Sequence, residues 1–186
     1  MDIGLLLLFA FPFLVIIWII LMYNALARLR QQCREAWSNV DAELKRRYDL
    51  VPNLVETVEG YAQHERETLE AVIQARNQAA ASNGPIAVQM HDESALVNSL
   101  RSLFIVVEKY PELKASDHFL LLQQELANTE DRIQAARRFF NGNVRDYNTR
   151  IEVFPSSLVA MVGGFHPEDF FEVEEAVMRS APRVRI

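Results

Sequence analysis

Between Ile3 and Met22 the chain runs through IGLLLLFAFPFLVIIWIILM without one charged residue. This stretch constrains the chain more than any other feature. Wound as a helix, it rises about 30 Å, the thickness of a bilayer's hydrocarbon. Fifteen of its residues are Leu, Ile, Val or Phe, the side chains that insert most favourably into lipid. Pro12 is tolerable there, because lipid-embedded helices accept proline better than soluble ones. Trp18 and Tyr23 suit a membrane interface. The rival reading is a cleaved signal peptide, with Ala25-Leu26-Ala27 as its site. The missing basic n-region and the length of the apolar run argue against it. Residues 1–23 are therefore expected to be a transmembrane anchor, with the lipid bilayer as first partner.

Composition divides along the same line. All 19 Lys and Arg, and all but Asp2 of the 25 Asp and Glu, come after the run. No Lys or Arg precedes it, whereas Arg28, Arg30, Arg34 and then Lys45-Arg46-Arg47 follow. The positive-inside rule places the bulk of the chain in the cytoplasm and the N-terminus outside, in a bacterial inner membrane. The net charge of −6 gives no bulk attraction for nucleic acid. A single cysteine, Cys33, excludes internal disulfides and a cysteine-based zinc site.

Beyond the anchor, periodicity predicts three helical stretches, about 24–82, 91–109 and 115–154. The first carries Trp37, Val40, Leu44, Val51, Leu54, Val58 and Tyr61, continuing through Leu69, Val72 and Ile73. The second carries Leu96, Leu100, Leu103, Phe104 and Val107. The third carries Leu122, Leu126, Thr129, Ile133, Ala136, Phe140, Tyr147, Ile151 and Phe154. Apolar residues at steps of three and four make stripes that bury against one another. Pro52 is expected to kink the first helix, since its ring displaces the bond to the Tyr48 carbonyl. Asn141-Gly142-Asn143 marks a bend in the third. No Gly or Pro separates Met22 from Trp37, so the membrane helix should continue into the domain. The expected fold is all-α, with the transmembrane helix continuing into an elongated antiparallel helical bundle with coiled-coil-like packing over residues 24–154.

Residues 155–186 form a separate tail. Phe154, Leu158, Met161, Val162 and Phe165 make its start apolar, yet 154–165 is too short to span a membrane. Three seats are open to it: the membrane interface, the base of its own bundle, or a neighbouring subunit. Phe170–Glu174 alternates like a short strand.

The chemical search returns little. The sequence has no Walker loop, no G-x-G-x-x-G and no H-E-x-x-H. His64, His91, His118 and His166 lie in different segments with polar flanks and read as solvated. No catalytic, cofactor or metal residue is assigned, and no cofactor is expected. One polar constellation stands against the apolar stripes: Arg46, Arg47, Asp49, Pro52 and Asn53 on the first helix, and Asp146, Tyr147 and Asn148 on the third. In an antiparallel pair, Arg46 or Arg47 should meet Asp146. Asn53 or Asn148 should satisfy the backbone that Pro52 opens. Buried polar groups of this kind fix register more than they stabilise.

The same residues carry a resemblance. Ala36-Trp37-Ser38-Asn39-Val40-Asp41, Leu44-Lys45-Arg46-Arg47-Tyr48-Asp49-Leu50-Val51-Pro52-Asn53-Leu54-Val55 and Gly60-Tyr61 resemble the signature of the bacterial LemA family. Ala135-Ala136-Arg137-Arg138, Val144-Arg145-Asp146-Tyr147-Asn148, Phe154-Pro155 and Gly164-Phe165 fit the same pattern. Asn141-Gly142-Asn143 departs from it, where the family more often has helix formers. The resemblance implies an N-terminally anchored, cytoplasmic-facing helical bundle without enzyme activity. It also implies membrane organisation as a process and a membrane metalloprotease as a candidate partner. The expected function is that of a non-enzymatic structural or interaction protein that self-associates as a homo-oligomer at the inner membrane. The alternative is an adaptor or regulator of a membrane enzyme such as that protease.

Overall fold

The structure, a computed structural model, describes residues 3–172, with side chains from residue 10 onward. It is all-α. Among the described residues there are six helices and no strand: α1 (Ile3–Glu59), α2 (Arg66–Ala81), α3 (Ile86–Val107), α4 (Pro111–Lys114), α5 (Asp117–Glu152) and α6 (Ser156–Gly163). Phe170–Glu172 is irregular; residues 173 and 174 of the expected strand lie outside the described residues. α1 runs unbroken from the apolar segment past Trp37, as the absence of Gly and Pro between Met22 and Trp37 predicts.

The first helix ends earlier than its stripe suggests. Residues 60–65 break the expected 24–82 stretch into α1 and α2. Gly60 is a poor helix former, and the chain tightens there through Tyr61 N–H to Val58 O (3.0 Å) and Ala62 N–H to Val58 O (2.9 Å). The reversal lets Leu69 and Val72 bury alongside Val51, Leu54 and Val58; a straight helix would carry them away from that core. Tyr61, counted in the stripe, is exposed.

The chain forms two compact units, each built from part of α1 and part of α5. The first holds residues up to Ser38 together with Arg138–Asp169. Its core is Leu26, Cys33, Ala36, Phe140, Val144, Tyr147, Ile151, Val159, Ala160 and Phe165. Trp37 meets Phe140 edge to face at 5.2 Å. The second holds Asn39–Arg137 and the chain from Phe170. Its core draws Val40, Leu44, Val51, Leu54 and Val58 from α1, Val72 from α2, Leu96, Leu100 and Leu103 from α3, and Phe119, Leu122, Leu126 and Ile133 from α5. Apart from Phe119, these belong to the stripes that the periodicity marks.

α5 is continuous through Asn141-Gly142-Asn143. Asn143 bonds back to the Phe139 carbonyl at 2.8 Å, a local bond that offsets part of the low helix propensity of this run. α5 stops at Glu152, so Phe154 is not part of its stripe and is exposed.

Candidate functional site

The second unit contains a buried charge network. Arg47 is 2% exposed, and so is Glu93 of α3. The Arg47 guanidinium pairs with Glu93 through Nη2 and with Glu130 of α5 through Nη1 at 3.0 Å. The Tyr48 hydroxyl donates to the other Glu93 oxygen. One cation thus ties α1, α3 and α5 together. α2 joins through Gln78, whose amide donates to buried Asp92 at 2.8 Å, and through Arg76. Burial pushes the Tyr48 phenol above its ordinary pKa, although neighbouring Arg47 pulls the other way. Tyr48 therefore stays a hydrogen-bond donor throughout the neutral range.

These contacts correct the expected pairings. Arg47 meets Glu93 and Glu130 in place of Asp146, and Arg46 reaches Glu43, one helical turn back, at 3.7 Å. The reason is visible in the helix faces. Glu93 stands three residues before Leu96 on the buried stripe of α3, and Glu130 adjoins buried Thr129 on α5. Asp146 is exposed. Asp49 is also exposed and lies 4.0 Å from Arg76.

The backbone at Pro52 finds a different partner as well. Pro52 lies inside α1, which continues to Glu59, and proline supplies no N–H to the carbonyl four residues earlier. That carbonyl belongs to Tyr48, and Arg76 of α2 donates its Nε–H to it at 2.9 Å. Asn53 is exposed and takes no part beyond accepting, at its own carbonyl, the Thr57 hydroxyl. Replacing Arg76 with methionine should cost about 1 kcal/mol, the scale of a partly solvated backbone acceptor left unpaired. With Pro52→Ala the amide returns, so the same substitution should cost much less. Urea denaturation of the four variants checks this; equal losses in both backgrounds would contradict it.

In the first unit Tyr147 and Asn148 hold the chain that follows α6. The Tyr147 hydroxyl donates to the His166 carbonyl at 3.0 Å. Asn148 brackets Glu168, donating to its carbonyl at 2.9 Å and accepting from its N–H at 3.0 Å. Burial raises the Tyr147 pKa, and Glu168 adds to the effect, which keeps that hydroxyl a donor.

The α6 segment divides by face. Val159, Ala160 and Phe165 are buried, whereas Phe154, Leu158, Met161 and Val162 are exposed, Val162 at 89%. Phe165 meets Tyr23 edge to face at 5.2 Å, and the Arg30 guanidinium lies 4.9 Å from its ring centre. Gly164 sets this turn: it has φ +66°, and the Phe165 N–H bonds to Ala160 O at 3.0 Å, the closing bond of a glycine-capped helix. At Gly163 a Cβ would fall 2.8 Å from the Phe165 ring and 3.2 Å from Tyr23, so only glycine admits both rings.

Among the described residues no three His, Cys, Asp or Glu converge as metal ligands. His64, His91, His118 and His166 are exposed. Cys33 is buried, and its pKa is pushed up to about 11, first by burial and then by Glu168 and Asp146. A raised folded-state pKa contributes stability that is complete below the unfolded value near 9 and is lost as pH climbs through about 11. Alkylation of the folded chain by iodoacetamide at pH 8 should therefore be far slower than that of the urea-unfolded chain. Equal rates would contradict this.

A largely apolar groove lies in the second unit, lined by Val97, Leu100 and Phe104 of α3 and Leu126 and Ala127 of α5 together with Arg101, Gln123 and Glu130, with a volume near 390 Å³. Ile105 and Leu120 stand exposed on the same two helices.

The features missed by the sequence reading are Glu93, Glu130 and Arg76. The signal for Glu93 was its spacing: 93, 96, 100 and 103 share one face of α3.

Known proteins with related sequences bear on this arrangement. Magnetosome protein MamQ of Magnetospirillum gryphiswaldense is 25% identical over 183 residues, covering 85% of this chain and 67% of that protein. Protein LemA of Metamycoplasma hominis is 27% identical over 152 residues, covering 82% of this chain and 69% of that one. Magnetosome protein MamQ 2 of Paramagnetospirillum magneticum is 24% identical over 183 residues, with 85% and 67% covered. The LemA family profile matches residues 36–186, taking in buried Arg47 and Glu93, half-buried Glu130 and the tail alike. By the extent of that match, the chain belongs to the LemA family.

Proposed function

We propose that the chain is a non-enzymatic, membrane-anchored structural protein that self-associates in the plane of the membrane. The start of α1 is its anchor. It is the one helix among the described residues long and apolar enough to cross a bilayer, and its side chains from Phe11 to Leu21 are exposed. The arginines that follow orient it, leaving the N-terminus outside and the two units in the cytoplasm, at a bacterial inner membrane. Alkaline phosphatase fused after Ile186 should be inactive on this topology.

The groove between α3 and α5 carries the self-association reading. Its lining is mostly apolar, and exposed Ile105 and Leu120 stand on the same helices, the kind of surface that soluble monomers rarely display. Copies anchored in one membrane share a plane, so a weak contact suffices. Single cysteines at Ile105 and Leu120, in native membranes, should give crosslinked dimers on oxidation, while one at exposed Asp146 should not. Buried, protonated Cys33 should leave that background quiet. Crosslinks to another protein in place of a second copy would favour the adaptor reading, with a membrane enzyme such as a metalloprotease in the groove.

A further inference from the structure

The α6 helix has apolar residues on both faces and one face uncovered. From Val153 to Phe165 the chain carries no charge. Leu158, Met161 and Val162, spaced three and four apart, share one exposed face, and Phe154 extends it. A helix apolar all round is normally covered on every side, and within the first unit this face is open.

Its position indicates the cover. Phe165 and Gly163 pack on Tyr23, and Arg150, at the end of α5, lies 3.6 Å from the sulfur of Met22. Met22 and Tyr23 close the apolar run of α1. α6 therefore stands beside the point where α1 leaves the hydrocarbon, its covered side on Tyr23 and its open face free of its own unit. Arg28, Arg34 and Arg150 are exposed in the same unit and match the anionic headgroups of a bilayer surface. Exposed Glu152 is the nearest acid in sequence.

We infer that α6 lies in the membrane interface, with Phe154, Leu158, Met161 and Val162 inserted among the lipids, giving the first unit a second, shallow contact with the bilayer. The inference rests on the reading of α1 as a membrane span. Interfacial helices of this kind sink by about 5–10 Å into the headgroup boundary. The contact pins α6, and with it the end of α5, to the membrane surface.

The test uses the full-length protein in vesicles of phosphatidylethanolamine and phosphatidylglycerol. An environment-sensitive fluorophore is attached at Met161→Cys, at Gln31→Cys or at Leu14→Cys. Met161 is 79% exposed, so its replacement leaves the fold intact. Lipids spin-labelled near the headgroup should quench the 161 probe several-fold more than the 31 probe and shift its emission to the blue. A 161 probe reached by aqueous iodide and untouched by lipid would overturn the inference. So would a 161 probe shielded from both quenchers, together with unlabelled Met161→Cys protein that forms a disulfide between two copies on oxidation. A Leu14 probe unquenched by lipids spin-labelled deep in the acyl chain would instead overturn the membrane-spanning reading beneath it.

Discussion

Replacing Glu93 with alanine should destabilise the second unit by about 3–5 kcal/mol, the scale of removing one partner from a buried ion pair. The cause is the guanidinium left behind. Arg47 is 2% exposed, and without Glu93 it retains only Glu130, which is partly solvated, at 3.0 Å. Tyr48 loses its acceptor in the same stroke. The exposed pair between Lys114 and Glu108, at 2.8 Å, supplies the contrast: its removal should cost less than about 1 kcal/mol. The double replacement Arg47→Met with Glu93→Leu should recover most of the loss, because an apolar pair needs no charge compensation. Chemical denaturation of the full chain in detergent, followed by helical circular dichroism, reads all three. A Glu93→Ala loss no greater than that of Glu108→Ala would contradict the network.

Replacing Phe165 with alanine should cost the first unit about 3–5 kcal/mol, while Met161→Ala, four residues earlier, should change stability by less than about 0.5 kcal/mol in detergent. Phe165 is buried under Arg30 and against Tyr23; Met161 touches little of its own chain. The loss should be local. Gly164 turns the chain so that Phe165 enters the core, and Tyr147 and Asn148 grip the residues beyond it. Releasing that strap should expose Cys33 in the same core, so its alkylation should quicken in Phe165→Ala and not in Met161→Ala. Equal alkylation rates in the two variants would contradict the assignment of Phe165 to the core.

The contrast between these residues shows where sequence reasoning stopped. Leu158, Met161 and Phe165 look alike in a sequence: apolar, uncharged and close together. Only the positive φ of Gly164 separates the inward ring from the outward side chains, and a Gly-Gly pair does not declare which glycine turns. The stripes on α3 and α5 were legible because a period near 3.6 survives any packing arrangement. The partner of Arg47 was not, because choosing it requires knowing which of many acids lies on a buried face. Glu93 obeyed the spacing of its own stripe, yet its polar neighbours His91 and Asp92 made the segment read as solvated. The break at residues 60–65 was hidden for the opposite reason. The apolar period continued across Gly60 into Leu69 and Val72, which return to the same core after the chain reverses.

The polar constellation around Pro52 was legible as a location and not as a set of contacts. Proline at 52 obliges some donor to reach the Tyr48 carbonyl. The donor is Arg76, a residue 28 positions on, brought there by the reversal at 60–65 that the periodicity concealed.

Whether copies of the chain associate in the membrane is decided by extracting the full chain from its membrane in polymer-bounded lipid discs and measuring particle mass. Particles carrying two or more copies of the 186-residue chain are expected, reduced to single copies when Ile105 and Leu120 are both replaced by aspartate. Discs holding a single unmodified copy throughout, at native expression, would contradict self-association.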